Sequence, residues 1–270
     1  MTSTSYRVRA SSWGTLFDCA YRFEGVHLLG MKSPSSPRAL LGTAIHASTA
    51  EFDSARVAGS PISPFDAAEA FIQTLREPEF DVDWRDSDIN QQQAEVIGLS
   101  LHQLYCTEVS PRYEFEAVEL DTEPMLIDCG GGIHIELTGT LDRSRIKRDA
   151  GGVGIADLKT GAAAVQQGKA KTGMHKAQLG IYELLYEHTT QSPITAPAEI
   201  IGLKTKGKPE WSSGEVTGAK DMMVGTDEYP GLIQMGAEMF RTGLFHPNPQ
   251  SMLCSERYCP RWNSCPYKSE

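Results

Sequence analysis

The 270-residue chain has no run of about 18 apolar residues, which argues against a transmembrane helix. Its start, MTSTSYRVRASSWG, has no apolar core of the kind a secretion signal carries, so the cytoplasm is the expected compartment. An excess of basic charge is missing too: 25 Lys and Arg stand against 35 Asp and Glu, a formal net charge of -10. That balance argues against a surface built as a whole for a polyanion. There is no internal repeat, no long low-complexity segment and no P-loop, so neither a solenoid nor a nucleotide-driven motor is expected.

What is present is an apolar fraction of 40%, enough for the core of one large soluble domain or of a domain with an added subdomain. The charge is unevenly placed. Residues 139 to 210 hold 11 Lys and Arg against 7 Asp and Glu, a local +4 that leaves -14 for the remainder. The basic residues bunch in RSRIKR (143 to 148), GKAKTGMHK (168 to 176) and KTKGK (204 to 208). Each cluster taken alone reads as a solvated loop, but all three flank one segment, GVGIADLKTGAA (152 to 163), and suggest a basic track beside it.

Helical periodicity dominates the first half. Helices are expected in SWGTLFDCAYRFEGVHLL, in GTAIHASTAEFDSARVAG up to the Gly-Ser-Pro break, from Pro64 to Arg76, and in SDINQQQAEVIGLSLHQLYCTEVS. The period then changes to two. RYEFEAVELDTEPMLI, IHIELTGTLDRSRI and GVGIADLKT read as the strands of a meander, turning at glycines 130 to 132 and near 147 to 151. A helix in KAQLGIYELLYEHT, a strand in AEIIGLKTK and a helix in GLIQMGAEMFRTGLF lead into a cysteine-rich tail. The fold class is therefore α/β, with a helical part over 1–110, a sheet and helix over 111–210, and a final helix and tail over 211–270.

The chemistry concentrates at the ends of two strands. Asp142 in TGTLDRSR precedes Asp157 by fifteen residues, so adjacent strands bring both carboxylates to one edge of the sheet. Two carboxylates side by side raise their own pKa unless a cation lies between them. A hard divalent ion such as Mg2+ or Mn2+ suits that place, because it seeks oxygen and keeps waters and substrate phosphate as its other ligands. Lys159 beside it would orient water or offset charge building on a phosphate, the equipment of phosphodiester hydrolysis. An Asp-x-Lys pair standing alone would be an ordinary charged strand exit.

GTLD followed by IADLKTG closely resembles the PD-(D/E)XK nuclease motif, in the order of the RecB-type branch. Gly42 and His46 in GTAIH match that branch's upstream Gly-x-x-x-His motif, and Gln178 and Tyr182 in QLGIY match its later Gln-x-x-x-Tyr motif. The resemblance implies a restriction-endonuclease-like core, a central mixed sheet flanked by helices within a single nuclease domain, of phage or bacterial type. It implies that His46, Asp142 and Asp157 bind the metal, joined by the main-chain carbonyl of Leu158, and that Lys159 assists catalysis. Gln178 and Tyr182 would line the active site and contact DNA. Alone, His46 would be an ordinary half-buried helix histidine, and Gln178 with Tyr182 one packed helix face.

Of six cysteines, Cys106 and Cys129 read as ordinary thiols, while Cys19, Cys254, Cys259 and Cys265 cluster toward the chain ends. CAYRF and CSERYCPRWNSCPY resemble the iron-sulfur subgroup of the same nucleases, which includes CRISPR-associated RecB-like nucleases and the AddB nuclease domain. There, one N-terminal and three C-terminal cysteines hold a 4Fe-4S cluster, which here would close a loop of 235 residues. The four residues between Cys254 and Cys259 depart from the usual two. Four thiolates also suit tetrahedral zinc, with His246 able to replace one.

The resemblance implies a Mg2+- or Mn2+-dependent DNA exonuclease in recombination, repair or end processing, working with a recombinase, annealing protein or helicase and with no membrane. A non-catalytic DNA-binding scaffold and a flap endonuclease are the alternatives. The intact motif set argues against the first, and the lack of any separate target-recognition region argues against sequence-specific cutting.

Overall fold

The structure, a computed structural model, describes residues 3–85, 87–147 and 151–269. The chain opens with strand β1 (Thr4–Arg9) and two short helices, α1 (Trp13–Asp18) and α2 (Ala20–Phe23). One continuous helix was expected here, but the backbone turns extended at Cys19 (φ -143°, ψ 93°). Helix α3 (Pro37–Val57) follows. Ser36 caps it by accepting from the Ala39 N–H, and Pro37 fills the first turn, where no hydrogen bond is lost. The same chemistry starts α4 (Pro64–Arg76) through a Ser63/Asp66 capping box and α5 (Gln91–Leu104) through an Asn90/Gln93 box.

Strands β2 (Glu114–Asp121), β3 (Met125–Asp128), β4 (Ile133–Thr138), β5 (Thr140–Lys147) and β6 (Gly152–Gly161) form the expected meander, but it is bent. At residues 122–124 and at Gly139 the long hairpin leaves one sheet for another. β3 and β4 join β1 in a three-stranded sheet, whereas β2, β5 and β6 stay in the central one. The turn at glycines 130 to 132 is as expected, with positive φ at all three; the turn near 147 to 151 falls largely outside the described residues.

A small hairpin, β7 (Val165–Gln166) and β8 (Lys169–Ala170), precedes α6 (Lys176–Thr190), β9 (Ala198–Lys204), β10 (Trp211–Val216), α7 (Ala219–Val224) and α8 (Leu232–Thr242). The central sheet runs β10-β9-β6-β5-β2; it is mixed, with β6 and β9 parallel and the other pairs antiparallel. β1, β10, α7 and the β7–β8 hairpin were not expected. Ser and Gly fill β10 and polar residues fill β1, so pairing with neighbours rather than local propensity holds them.

Helices cover both faces of the central sheet. On one side α3, α4 and α5 pack over Ala156, Leu158, Ile201 and Leu203; on the other α6, α7 and α8 pack with the three-stranded sheet over Ile155, Ala198 and Ile200. This alternation along β6 and β9 fixes which side chains enter the core. It leaves Asp157 and Lys159 on the α6 side. Among the described residues, no helix is long and apolar enough to cross a membrane.

Candidate metal-dependent active site

Antiparallel pairing of β5 with β6 sets Arg143 opposite Ala156, so Asp142 and Asp157 stand just beyond that pair, where the ladder opens. Asp142 is tied down there: its Oδ2 accepts the Leu158 N–H at 2.8 Å. Helix α3 delivers His46, whose Nδ1 lies 3.5 Å from the same oxygen, and His46 also hydrogen-bonds the main chain of Leu158. Gly42, one helical turn earlier, permits this approach. A Cβ at that position would stand 2.7 Å from Thr160 Oγ1 on β6. Gly is a poor helix residue, so the close approach of α3 to the strand gives a physical reason for it.

Asp157 is fully buried, and its Oδ2 is paired with the Lys159 ammonium at 2.5 Å. Gln178 Nε2 lies 3.5 Å from Asp157 Oδ1 and donates to the Tyr182 hydroxyl at 3.0 Å. All six residues expected to form the site are thus brought together, with Leu158 between them.

The sequence reading missed Glu119. It lies on β2 between Val118, opposite Arg143, and Leu120, opposite Leu141, and so faces Asp142. Its φ of 47° is left-handed, an uncommon conformation for a non-glycine residue in a strand. A carboxylate oxygen of Glu119, one of Asp142 and a ring nitrogen of His46 lie within 4.8 Å of one another. No motif marks Glu119, and only the strand pairing reveals it.

The electrostatics suit a cation. Burial, reinforced by the Asp142 charge and opposed by Lys159, raises the Asp157 carboxyl to about 7. Desolvation and the Asp142 charge also push the Glu119 carboxyl upward, against Arg143, though less firmly, since its side chain is 43% exposed. His46 is held below its ordinary value, mainly by burial and further by Lys159 and Arg143, against the pull of Asp142, so its imidazole is neutral and able to ligate. Asp142 remains low: His46, Lys159 and Arg143 together outweigh its burial. A ring nitrogen of His46 and carboxylate oxygens of Glu119 and Asp142, beside the buried Asp157, make a donor set that fits a hard divalent cation.

Beneath this group lies Arg143, also fully buried. Its Nε donates to Asp53 at 3.0 Å and its Nη2 to Thr49 at 3.1 Å, both on α3, while Nη1 is 3.5 Å from Glu119 on β2. One guanidinium therefore ties together the three elements that carry His46, Glu119 and Asp142.

Comparison with known proteins decides the family. The family model described as "PD-(D/E)XK nuclease superfamily" matches residues 8–266, nearly the whole chain. The chain belongs to the PD-(D/E)XK nuclease superfamily. The fold agrees: the crystal structure of a proposed exonuclease from Eubacterium rectale superposes with a TM-score of 0.50 at 16% identity, covering 98% of this chain and 91% of the other. Among curated proteins, none matches.

In this PD-(D/E)XK nuclease the basic clusters part company. Arg143 and Arg145 of RSRIKR are internal, the latter ion-paired with Glu199 at 3.0 Å, and Lys147 pairs with Glu215 at 2.5 Å. Arg148 lies outside the described residues. The clusters at 168–176 and 204–208, by contrast, present exposed lysines.

Cys19, Cys254, Cys259 and Cys265 line one small cavity, walled by Tyr21 and Trp262 among others. Cys19 sits at the break between α1 and α2, its Sγ accepting the Asn248 N–H at 3.4 Å. The tail is clamped to α2 by Arg261, which lies 3.9 Å over the Tyr21 ring and 2.8 Å from Glu24. Burial raises the Cys259 thiol, with Cys19 and Cys265 adding to the effect against Arg22. Cys106 is buried beside His102 and Cys129 lies against Arg241, both apart from this cavity. His246 meets α2 through its main-chain carbonyl, bonded to the Tyr21 N–H, and its side chain does not line the cavity.

Proposed function

We propose that this chain is a metal-dependent DNA exonuclease of the RecB-type, iron-sulfur branch, of phage or bacterial type, acting in recombination, repair or end processing. The observation that carries the reading is the convergence of His46, Asp142, Asp157 and Lys159 where β5 and β6 part. His46, Asp142, Asp157 and the Leu158 carbonyl would hold Mg2+ or Mn2+, with Glu119 as a further oxygen donor. When bound, the ion supplies Lewis acidity toward the scissile phosphate and makes water a better nucleophile.

The protein's own groups do the rest. Lys159 presents its ammonium to the reacting phosphate and offsets charge developing there. Gln178 orients the Asp157 carboxylate and fixes the Tyr182 hydroxyl, so the two hold the α6 wall of the site in place. Helices on both faces exclude bulk water from the buried carboxylates, which strengthens each of these interactions.

The whole chain is read as one nuclease domain working in the cytoplasm with a recombinase, annealing protein or helicase. The cysteine cavity is read as a 4Fe-4S site. A single zinc ion with bonds of about 2.3 Å needs its sulfurs within about 4 Å of one another. Among the described residues, the group that meets a 4.8 Å limit is His46, Glu119 and Asp142, not the thiols. Four thiols around one cavity, with no three of them within that limit among the described residues, favour a polynuclear cluster.

The test is incubation of the purified chain with Mg2+ or Mn2+ and either linear or covalently closed circular DNA. Mononucleotides or short products from linear DNA alone are expected, and cutting of the circle would replace the exonuclease reading by an endonuclease one. For the cluster, anaerobically purified protein should be brown and carry about four irons, and Cys259→Ala should lose both. Zinc in place of iron would overturn the assignment.

A further inference from the structure

We propose that the groove between the β7–β8 hairpin and the end of β9 is the track for the sugar-phosphate backbone of the DNA strand being cut, with Lys169, Lys171 and Lys204 as its phosphate contacts. The inference rests on the nuclease reading above and adds where the substrate runs. The groove is open and is lined by these three lysines with Gln166 and Gln167; among the described residues no acidic side chain lines it. On a chain of net charge -10, such a surface marks a polyanion site by contrast with its surroundings.

Its position follows from the sheet. In the parallel pairing of β6 with β9, Lys159 is opposite Gly202 and Gly161 opposite Lys204. Lys159 and Lys204 therefore rise from the same face, two residues apart along the strands and one strand over, a separation of about 8 Å. The loop leaving β6 enters the hairpin directly, and the hairpin is seated close to the sheet: a Cβ on Gly202 would meet the Ala164 carbonyl at 2.7 Å. Val165 is buried beneath it. Gln167 and Gly168 both have positive φ, forming a two-residue turn that presents Lys169 from a rigid support. His175, just before α6, is held down to about 4 by burial and by both Lys159 and Lys171, so the neutral imidazole lies between the catalytic lysine and the groove. Lys204 pairs with Glu210 at 2.9 Å in a partly exposed contact for which a phosphate can compete.

The test compares the full chain with a Lys169→Gln/Lys171→Gln/Lys204→Gln variant. Binding of a fluorescein-labelled single-stranded oligonucleotide is followed by anisotropy across a salt series, with Ca2+ replacing Mg2+, and degradation is measured in parallel with Mg2+. Neutralising three phosphate contacts should lower the slope of log affinity against log salt by about 2 and raise the KM for DNA at least about tenfold. The melting temperature should change little, since Lys169 and Lys171 are exposed and Lys204 gives up only a partly exposed ion pair. Cleavage by the parent with the same salt slope in the variant overturns the groove and leaves the nuclease reading intact. A parent that binds with the slope lost in the variant, yet cuts nothing, supports the groove and overturns the nuclease reading. A parent that neither binds nor cuts overturns both.

Discussion

Replacing Arg143 by Met should destabilise the protein by about 3 kcal/mol, because it breaks a buried pair while keeping the bulk of the stem. The side chain is fully buried and donates to Asp53 at 3.0 Å and Thr49 at 3.1 Å. Removing one partner of a buried pair costs about 3–5 kcal/mol, most of it the desolvation of the charge left behind. Here Asp53 keeps the Tyr105 hydroxyl at 2.5 Å, the Ser110 hydroxyl and Arg56 at 3.7 Å, which places the loss at the lower end of that range. Urea unfolding of Arg143→Met, Asp53→Asn and the double variant measures it. The double variant should recover at least about 1 kcal/mol relative to the sum of the singles, as directly coupled residues do. Loss below about 1 kcal/mol, or strict additivity, would refute the reading of Arg143 as the tie between α3, β2 and β5.

Gly42→Ala should weaken Mn2+ binding and cleavage although alanine favours helix, since its methyl meets Thr160 Oγ1 and draws His46 from Asp142; adding Thr160→Ala should restore both. Unchanged Mn2+ affinity in the single variant would contradict that packing. Metal affinity should fall by up to about tenfold per pH unit below about 7, because the ion must displace the proton that burial holds on Asp157. The sign for stability is opposite. With its folded pKa above the unfolded value, Asp157 favours the metal-free fold at low pH and loses that contribution as pH rises through about 7. Mn2+ titrations by electron paramagnetic resonance across that range check the first effect, and an affinity independent of pH would refute it.

Much of this site is legible in the sequence because its parts are local. Ser63 and Pro64 announce a helix start through a local cap, and Asp157 with Lys159 sits two apart on one strand, whereas α3 begins at Pro37, within SPSSP, which reads as a flexible loop, and ahead of the helix expected in GTAIH. His46 is legible through the Gly42 spacing, which the approach of α3 to Thr160 explains. What was missed depends on distant pairing. Glu119 enters the site because β2 pairs with β5 and turns left-handed there, and nothing in VELD signals it. RSRIKR looked like a solvated loop beside a basic track, yet Arg143 meets Asp53 ninety residues away and Arg145 meets Glu199, so two of its four positive charges are spent inside the fold. The hairpin split at Gly139 is hidden for a related reason: both halves alternate as strands should, and the choice of sheet is made by β1 and β2.

The central claim is that Asp157 and its neighbours hold the ion that makes this protein a nuclease. Degradation of end-labelled linear DNA in Mg2+ by the parent and by Asp157→Ala, both shown folded by circular dichroism, tests it most directly. The account predicts cleavage by the parent that EDTA abolishes, and none by the variant. Equal cleavage by the two proteins would contradict it.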